Sequence, residues 1–459
     1  MSKQKTYNTY RQMFPEFVYE GYQYDVQPDG LHIMFRFVMK GLRDNNIVFE
    51  PTAFIPNRPF VQFDQPRATM DHLVFHIGMI EMISYWKCVC SPKVTVACGT
   101  LDEQQVGFWK KLYFNGLGEF FYTNGIQATM DDFMTIHSTG KLMAEPIEGE
   151  LEDAYLVPVG GGKDSAVTLE ILRNSVDAEK RPIPIIMNPR GATIGTIEAA
   201  GYTMEDVLVI KRTIHPKLLD LNANGCLNGH TPFSAMLGFY TLLACQLTGR
   251  RHVALSNECS ASESTVVGTN INHQYSKSLE FEDDFRSYVR TKVSPAYNYF
   301  SFLRPIYEME IANLFAHHCQ RYWEVFRSCN VGSKQDVWCG HCAKCLFVYI
   351  MLAPLMDSAE EVEKIFGKDL LDDETLRLEF DQLTGKAETK PFECVGTVEE
   401  ANAALSMLID KRGWKRDAER PALLRGYQPQ PWNKGLLQMH EGHNLTEAQL
   451  GMLKRFVDA

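Results

Sequence analysis

The fold is decided by the stretch Leu156-Val157-Pro158-Val159-Gly160-Gly161-Gly162-Lys163-Asp164-Ser165. Its apolar beginning has the length of a β-strand, and three consecutive glycines follow it. After this stretch, the apolar residues Val167, Ile171 and Leu172 fall on one face of a helix. The sequence therefore predicts a strand, a glycine-rich loop and the beginning of a helix.

This arrangement is typical of a phosphate-binding site. Glycine has no Cβ, so its backbone adopts positive φ and lets a phosphate approach the N–H groups closely. The following helix adds free N–H donors and about half a positive charge at its N-terminus. A glycine-rich turn that binds nothing is the simpler alternative. A phosphate site requires both the strand before the loop and the helix after it, and the sequence supplies both.

Two better-known phosphate loops fit the stretch less well. A Walker A loop needs Ser or Thr directly after Gly-Lys, whereas Asp164 stands at that position. The dinucleotide pattern G-x-G-x-x-G matches at Gly160 and Gly162, but Ser165 replaces its third glycine. That pattern also needs an acidic ribose ligand after the next strand, which here leads into Asn188-Pro189-Arg190. The dinucleotide interpretation is therefore second choice.

The loop resembles the Ser-Gly-Gly-x-Asp-Ser loop of the PP-loop ATP pyrophosphatases, which cleave ATP between the α- and β-phosphates. Gly160 stands in place of the first Ser, so part of the phosphate contact falls to the backbone or to Lys163. The resemblance implies that Asp164 orients Mg²⁺, and that the loop amides and the Ser165 hydroxyl hold the departing pyrophosphate. The predicted ATP-binding residues of this loop are Gly160, Gly161, Gly162, Lys163, Asp164 and Ser165.

The composition is that of an ordinary globular protein. The chain has 459 residues, of which 45% are hydrophobic and 22% charged, enough for two or three domains. The formal net charge of −11 argues against a general nucleic-acid surface, which needs a basic excess. A small anionic substrate needs only a local cationic pocket, so a small-molecule substrate is expected.

Neither a membrane segment nor an export signal is expected. The most apolar helical stretch, residues 75–90, carries His76, Glu81 and Lys87, which are too polar for a membrane span. The first residues lead into polar and aromatic sequence and not into an apolar signal core. We therefore expect a cytoplasmic protein whose 12 cysteines are mostly reduced thiols or metal ligands. The sequence carries no signal of an oligomeric state.

The apolar pattern predicts three domains. Residues 1–150 form an α+β domain, a candidate for substrate binding, with a hairpin that turns at Pro28-Asp29-Gly30. Residues 151–350 alternate strands and helices, which predicts an α/β PP-loop domain with a parallel sheet and right-handed crossovers. Residues 351–459 are mainly helical, with capping-box spacings at Ser358 and Thr397.

In a parallel α/β sheet, ligands bind beyond the C-terminal ends of the strands. The predicted strands of this sheet are Leu156–Val159, Ile183–Met187, Val207–Ile210 and His252–Leu255. Asn188 follows the second strand, where the resembled family holds adenine against backbone groups. Asn257 and Glu258 follow the fourth strand. We therefore predict nucleotide contacts at Asn188 and Asn257.

Two polar loops carry side chains suited to catalysis or substrate binding. Residues 224–232 contain Cys226 and His230, both able to exchange a proton near neutral pH, although a capped turn with incidental side chains is the alternative. Because their loop is expected to follow a strand at the ligand edge of the sheet, we predict these two as catalytic bases, with Glu258 in reserve. Residues 270–278 lack helix or strand periodicity, which favours a functional loop. Its predicted substrate-binding residues are Asn272, His273, Tyr275, Ser276 and Lys277.

A cysteine cluster near residue 340 indicates a metal site. Cys339, Cys342 and Cys345 form two overlapping CxxC spacings, and Cys329 lies ten residues earlier. Four thiolates suit a tetrahedral, structural zinc site. An iron–sulfur cluster is the main alternative, because bacterial ferredoxins also contain a C-x₂-C-x₂-C run. Four free thiols are the third interpretation.

Over residues 70–350 the chain is similar to the ATP-dependent UDP-N-acetylmuramoyl-L-alanyl-L-glutamate epimerases of bacterial peptidoglycan synthesis. Besides the glycine loop and the cysteine cluster, the similarity is carried by Gly116-Leu117-Gly118-Glu119-Phe120 with Asn124-Gly125, by Gly229-His230-Thr231-Pro232-Phe233-Ser234 and by Asn272-His273-Gln274-Tyr275-Ser276-Lys277. It implies adenylation of the α-carboxylate of the terminal L-Glu, inversion to D-Glu and release of AMP and diphosphate. The implied ligands are ATP, Mg²⁺, a structural Zn²⁺ and the UDP-muramoyl dipeptide.

Two other functions remain open. The glycine loop and the cysteine cluster also occur together in the PP-loop branch that contains 7-cyano-7-deazaguanine synthase, so a carboxylate-adenylating ligase or amidotransferase-like enzyme fits them. A non-catalytic nucleotide-binding protein is the third function. The intact Asp164 and Ser165 argue against it.

Overall fold

The structure is a computed structural model that describes residues 3–141, 145–266, 268–332 and 335–459. The helices are α1 (Lys3–Met13), α2 (Arg67–Trp86), α3 (Glu103–Gly116), α4 (Gly118–Thr123), α5 (Lys163–Ser175), α6 (Gly191–Ala199), α7 (Pro216–Ala223), α8 (Phe233–Thr248), α9 (Leu279–Tyr288), α10 (Glu308–His318), α11 (Ala343–Leu352), α12 (Ala359–Phe366), α13 (Arg377–Leu383), α14 (Val398–Arg412) and α15 (Glu447–Val457). The strands are β1 (Glu16–Gln27), β2 (Gly30–Lys40), β3 (Ile47–Phe49), β4 (Thr52–Pro56), β5 (Lys93–Val96), β6 (Thr135–Ser138), β7 (Glu152–Pro158), β8 (Ile183–Met187), β9 (Leu208–Thr213), β10 (Arg250–Leu255) and β11 (Asn298–Ser301).

The chain divides into two compact units, each of which contains several separate segments. Unit 1 consists of Met1–Leu156, Leu208–Val253 and Ile271–Tyr299. Unit 2 consists of Val157–Val207, Ala254–Asn270 and Phe300–Ala459. The three-domain division expected from the sequence stays a prediction.

Unit 1 is built on the hairpin of β1 and β2. The two strands pair antiparallel from Glu16 opposite Lys40 to Gln27 opposite Gly30, which confirms the turn expected from Pro28 and Asp29. Alternate β2 side chains from residue 31 to residue 39 are at most 1% exposed, because one face of the hairpin packs on α2. The core of unit 1 lies between this face and the helix.

The sheet of unit 1 is mixed and not parallel throughout. Its strand order is β9, β4, β2, β1, β5, β6, with β3 also paired to β2. Strands β1 with β5 and β5 with β6 run parallel, whereas β9 pairs antiparallel with β4, where Thr52 lies opposite Thr213. The pairing of β9 with β4, a strand outside the predicted α/β domain, was not expected from the sequence. The alternation of strands and helices predicts how consecutive strands are connected. It does not predict which strand pairs with the exposed edge of β4.

The parallel part of the architecture contains β7, the strand before the glycine loop. Strand β7 pairs parallel with β10, and the order is β11, β10, β7, β8. Residues 154–158 of β7 are all buried, as in strands covered on both faces. The fold is therefore α/β, with mixed β-structure flanked by helices.

The C-terminal region is helical, as its sequence predicts. In α12, Ser358 and Glu361 form the expected capping box, and in α14 Thr397 and Glu400 form another. Throughout the described part of the chain, every helix is too short or too polar to cross a membrane.

Candidate active site

The glycine loop joins β7 to α5 and needs glycine for steric reasons. Gly161 has φ +84°, in the region that favours glycine, and a Cβ there would lie 2.9 Å from the backbone carbon of Ala192. Gly162 precedes the first residue of α5 in an extended conformation. The loop therefore delivers backbone N–H groups to the N-terminus of a helix, as a phosphate site requires.

The segment that precedes the cysteine cluster holds this loop in place. The backbone N–H of Arg327 donates to the carbonyl oxygen of Gly161 at 2.7 Å. A Cβ on Gly162 would lie only 2.6 Å from Oγ of Ser328. The Ser165 hydroxyl donates to the carbonyl oxygen of Gly162 at 3.1 Å. The loop is thus fixed both from within and by residues 327–328.

Lys163 is the most deeply buried charged side chain of the loop. Its side chain is 1% exposed, and its ammonium donates to the carboxylates of Asp164 and Glu308. Burial alone opposes a charge, but these two carboxylates hold the pKa of Lys163 above its ordinary value. The structure therefore places the ammonium of Lys163 on carboxylates of its own unit. Its predicted contact with phosphate stays a prediction.

Three carboxylates meet beside this lysine. Oxygen atoms of Asp164, Glu258 and Glu308 lie within 4.8 Å of one another. Burial, together with the negative charge of Asp164, raises the pKa of Glu308 to about 7. Carboxylate oxygens are hard ligands, so this group of three suits Mg²⁺. Glu258, the reserve base of the sequence analysis, is thus part of this carboxylate cluster.

The two asparagines expected at the nucleotide lie after β8 and β10. Asn188 has φ +52°, an uncommon conformation for a residue other than glycine. Asn257 is 6% exposed and donates to the hydroxyl of Ser301 at 2.9 Å, and Arg304 donates to the same hydroxyl at 3.2 Å. Asn257 is therefore held by a hydrogen bond within unit 2, and its contact with a nucleotide stays a prediction.

The four predicted metal ligands come together in unit 2. The Sγ atoms are 3.9 Å apart for Cys329 and Cys342, 3.7 Å for Cys339 and Cys345, and 3.5 Å for Cys342 and Cys345. Four sulfurs bound tetrahedrally to zinc at about 2.3 Å would be about 3.8 Å apart. All twelve cysteines are free thiols. The donor set and its geometry therefore fit a zinc ion.

Unit 1 contains a second group of polar side chains, formed by Glu119, His230 and His273. His273 Nδ1 makes a short hydrogen bond with Oε2 of Glu119, and His230 Nδ1 lies 3.6 Å from the same oxygen. The two imidazole rings have centroids 4.5 Å apart. These side chains are 12–23% exposed, so solvent reaches the group. We call it the Glu119 cluster.

Backbone contacts hold His230 in this position. The ammonium of Lys87, the residue that follows α2, donates to the carbonyl oxygen of Gly229. The Asn124 amide donates to the carbonyl oxygens of Phe120 at 2.8 Å and Asn228 at 3.0 Å, which ties the loop to α4. Burial lowers the pKa of His230 to about 4 and that of Lys87 to about 8. At neutral pH, His230 is therefore a neutral imidazole.

Cys226 lies in a different environment from His230. Its loop follows helix α7 and not a strand, contrary to the sequence expectation. Its thiol contacts the hydroxyl of Tyr10 and lies near Cys88, and burial raises its pKa. A raised thiol pKa reduces the thiolate fraction, and the predicted role of Cys226 as a base stays a prediction.

The predicted substrate loop divides into buried and cluster-facing residues. Tyr275 is 7% and Ser276 5% exposed, and burial raises the pKa of Tyr275 to about 12. Asn272 accepts a hydrogen bond from the backbone N–H of Gln274 at 2.7 Å. His273 belongs to the Glu119 cluster, and the positive charge of Lys277 contributes to the low pKa of His230.

Two sequence profiles of one protein family match the chain. A sequence profile described as the MurL N-terminal domain matches residues 8–302, well over half of the chain. A second profile, described as the MurL C-terminal domain, matches residues 325–434. The chain belongs to the MurL family. The first match contains the glycine loop and the Glu119 cluster, and the second contains the four cysteines.

Curated relatives extend the MurL match over most of the chain. A UDP-N-acetyl-alpha-D-muramoyl-L-alanyl-L-glutamate epimerase of Xanthomonas oryzae pv. oryzae is 36% identical over 388 residues, 83% of this chain and 84% of the relative. A protein of the same name from a Micromonospora species is 37% identical, over 77% of this chain and 78% of its own length. Another from Salinispora tropica is 32% identical, over 91% of this chain and 90% of its own length. No solved structure matches the chain.

The cluster shows what sequence reasoning missed. In the sequence, Glu119 is marked only by its place in the phrase Gly116-Leu117-Gly118-Glu119-Phe120. Three of the phrases that carry the resemblance each contribute one side chain to the cluster. Their spatial convergence is the signal that the separate phrases could not give.

Proposed function

We propose that this protein is an ATP-dependent epimerase of peptidoglycan synthesis. It adenylates the α-carboxylate of the terminal L-Glu of UDP-N-acetylmuramoyl-L-alanyl-L-glutamate, inverts the residue to D-Glu and releases AMP and diphosphate. The observation that carries the proposal is the match of most of the chain to relatives that bear this epimerase name. Because ATP is a cytoplasmic co-substrate, the proposal places the reaction in the cytoplasm.

Adenylation explains why an epimerase would contain a phosphate loop. An α-proton beside a free carboxylate is hard to remove, because two negative charges would then lie on adjacent atoms. Transfer of AMP converts the carboxylate into an acyl phosphate ester, and the carbanion then delocalises onto the carbonyl oxygen as an enolate. Hydrolysis of the adenylate releases AMP and makes the sequence of steps effectively irreversible.

The residues of unit 2 suit the adenylation step. The N–H groups of Gly161 and Gly162 and the N-terminus of α5 would receive the departing diphosphate. Asp164, Glu258 and Glu308 are the candidate ligands of a Mg²⁺ ion, which when bound neutralises charge on the phosphate oxygens. Lys163 balances part of the carboxylate charge. This use of the loop follows its resemblance to the PP-loop ATP pyrophosphatases.

We propose a structural zinc ion for the four cysteines. With four thiolates the coordination shell is closed and leaves no position for substrate, so the ion contributes stability and not chemistry. Because residues 327–328 precede Cys329 and contact the glycine loop, the same ion would stabilise the segment that holds this loop.

The proposal is tested by one assay with two readouts. Purified protein is mixed with Mg-ATP and UDP-N-acetylmuramoyl-L-alanyl-L-glutamate, AMP and diphosphate are quantified, and the glutamate of the hydrolysed product is resolved by chirality. AMP together with D-Glu is the expected result. The variant Asp164→Asn should lose both products, whereas Asp177→Asn, at an exposed site beyond α5, should retain them.

Other outcomes identify the alternatives. AMP with a condensed product would indicate a ligase or amidotransferase-like enzyme. AMP with unchanged L-Glu would retain the adenylating chemistry but assign another substrate. Absence of ATP consumption with this and other carboxylic acids would contradict the enzymatic proposal and favour a nucleotide-binding protein.

A further inference from the structure

The Glu119 cluster has the geometry of an acid–base group and not of a packing contact. In the same unit, His76 shows what a structural histidine looks like: it is 1% exposed, with Nδ1 on the carbonyl oxygen of His72 and Nε2 on the Tyr288 hydroxyl. His273, by contrast, is partly exposed and makes its Nδ1 contact with a carboxylate. His273 thus has two features that His76 lacks and that proton exchange with a ligand requires: its ring is accessible to solvent, and its partner is charged.

The contact with Glu119 determines which nitrogen of His273 is basic. When Nδ1–H donates to the carboxylate, the neutral ring carries its lone pair on Nε2. The carboxylate also stabilises the imidazolium that forms once Nε2 takes up a proton. Glu119 therefore orients His273 and strengthens it as a base.

The charges around the pair favour an anionic ligand. Lys87, the residue after α2, and Lys277 from the 270–278 loop both contribute positive charge near His230, and Glu119 is the carboxylate that faces both imidazoles. An enolate is such an anion, and two ammonium groups stabilise it electrostatically. The same two ammonium groups oppose the binding of a metal dication by these three side chains.

The spacing of the two rings limits what the pair can do. A carbon atom in van der Waals contact with a ring on either side needs about 7 Å between the rings. The centroids of His230 and His273 are 4.5 Å apart, so no α-carbon fits between them. The cluster therefore acts from one face of a substrate.

We infer that Glu119 and His273 form a proton-transfer pair that serves one face of the substrate α-carbon, with His230 beside them. This inference rests on the proposed function and deepens it. The α C–H bond breaks, its proton passes to Nε2 of His273, and its electron pair moves onto the adenylated carbonyl as an enolate. A second donor on the opposite face, a side chain or water, returns a proton to carbon, and His273 releases its proton to solvent. Glu119 is a positioning residue, because it acts through His273.

The test separates proton transfer from adenylation. Wild type and His273→Asn are incubated in D₂O with Mg-ATP and either the L-Glu or the D-Glu epimer of the UDP-muramoyl dipeptide. AMP formation and α-deuterium incorporation are measured separately. We expect the variant to form AMP within about threefold of wild type, while deuterium incorporation from one of the two epimers falls about a hundredfold or more. Loss from one epimer only is the signature of a one-sided base.

Two further variants distinguish positioning from a general structural role. Glu119→Gln removes the negative charge and should lower the rate of deuterium incorporation. It should also alter the pH profile of that rate, to which five groups contribute: Glu119, His230, His273, Lys87 and Lys277. Glu119→Asp retains the carboxylate and should recover part of the rate. His137→Asn, at an exposed histidine on β6, is the matched control and should behave as wild type. His273→Gln provides a second substitution, and thermal unfolding verifies the fold of each variant.

Three results would overturn the inference. The first is wild-type deuterium incorporation from both epimers in folded His273→Asn and His273→Gln. The second is a metal ion, bound in addition to that of the cysteine cluster, that disappears in these variants. The third is equal loss of AMP formation and deuterium incorporation. A wild-type protein that yields no AMP and no D-Glu would instead contradict the proposed function itself, so the two failures are distinguishable.

Discussion

Ser328 lies so close to Gly162 that a Cβ at position 162 would be 2.6 Å from its Oγ. Gly162→Ala should therefore displace the Ser328 side chain and, with it, the glycine loop or residues 327–328. We expect a loss of about 1–3 kcal/mol in the free energy of unfolding and AMP formation at least about tenfold slower, because the loop amides move. Urea denaturation and the AMP assay measure the two effects.

A double variant and a control make this prediction specific. Ser328→Gly removes the hydroxymethyl group that the new methyl meets, so Gly162→Ala with Ser328→Gly should be more stable than Gly162→Ala alone. Gly160→Ala is the control, since nothing lies within 4 Å of a Cβ there. Equal destabilisation at positions 160 and 162 would show that glycine flexibility, and not contact with Ser328, matters.

The ion pair of Glu81 and Arg212 should stabilise unit 1. Arg212 donates to both carboxylate oxygens of Glu81, at 2.6 and 2.7 Å, and Tyr240 donates to Oε1 at 2.9 Å. Glu81 is 1% exposed, so Arg212→Met leaves a buried charge without its partner and should cost about 3–5 kcal/mol in urea denaturation.

Two comparisons test the cause of that loss. Met at both positions 81 and 212 should restore much of the stability, because no buried charge remains. Arg36→Met breaks contacts with Glu20 and Glu50 at the surface and should cost less than about 1 kcal/mol. A surface variant as damaging as Arg212→Met would refute the role of burial.

Local features of the fold could be predicted from the sequence because neighbouring residues determine them. The hairpin turn at Pro28 and Asp29, strand β8 and the capping boxes of α12 and α14 each depend on a short stretch of chain. The antiparallel pairing of β9 with β4 depends on two strands about 150 residues apart, and no local pattern contains that information.

The sites show the same limit. The four cysteines could be grouped because three of them share CxxC spacings. Glu119, His230 and His273 lie in three separate segments, and only packing of α4 against two loops brings them together. His76 and Glu81, the polar residues of the most apolar helical stretch, have hydrogen-bond partners within unit 1, which the sequence alone could not identify.

The cysteine cluster predicts one zinc ion per chain. Metal analysis of protein purified without oxygen should give zinc at a one-to-one ratio, and Cys342→Ser should lose most of it and unfold at a lower temperature, since structural zinc contributes on the order of 10 kcal/mol to local folding. Cys319→Ala, at a buried thiol outside the cluster, should retain the metal. Iron with sulfide in place of zinc would establish a cluster of a different kind.

Stability should fall as the pH is lowered from 7 to 5, partly because of His76. Burial lowers the pKa of His76 from 6.5 to about 3 in the folded protein. Between pH 3 and 6.5 the unfolded chain therefore binds a proton that the folded chain does not, so this contribution to stability is present above pH 6.5 and is lost as the pH falls. From pH 7 to 5 the loss from this one group is about 2 kcal/mol. In urea denaturation, the free energy of unfolding of His76→Phe should fall by about 2 kcal/mol less than that of wild type between pH 7 and 5. The variant should be less stable at every pH, because the Tyr288 hydroxyl loses its contact with His76. His137→Phe, at an exposed histidine, should keep the wild-type dependence, and an identical pH dependence in all three proteins would contradict a buried neutral His76.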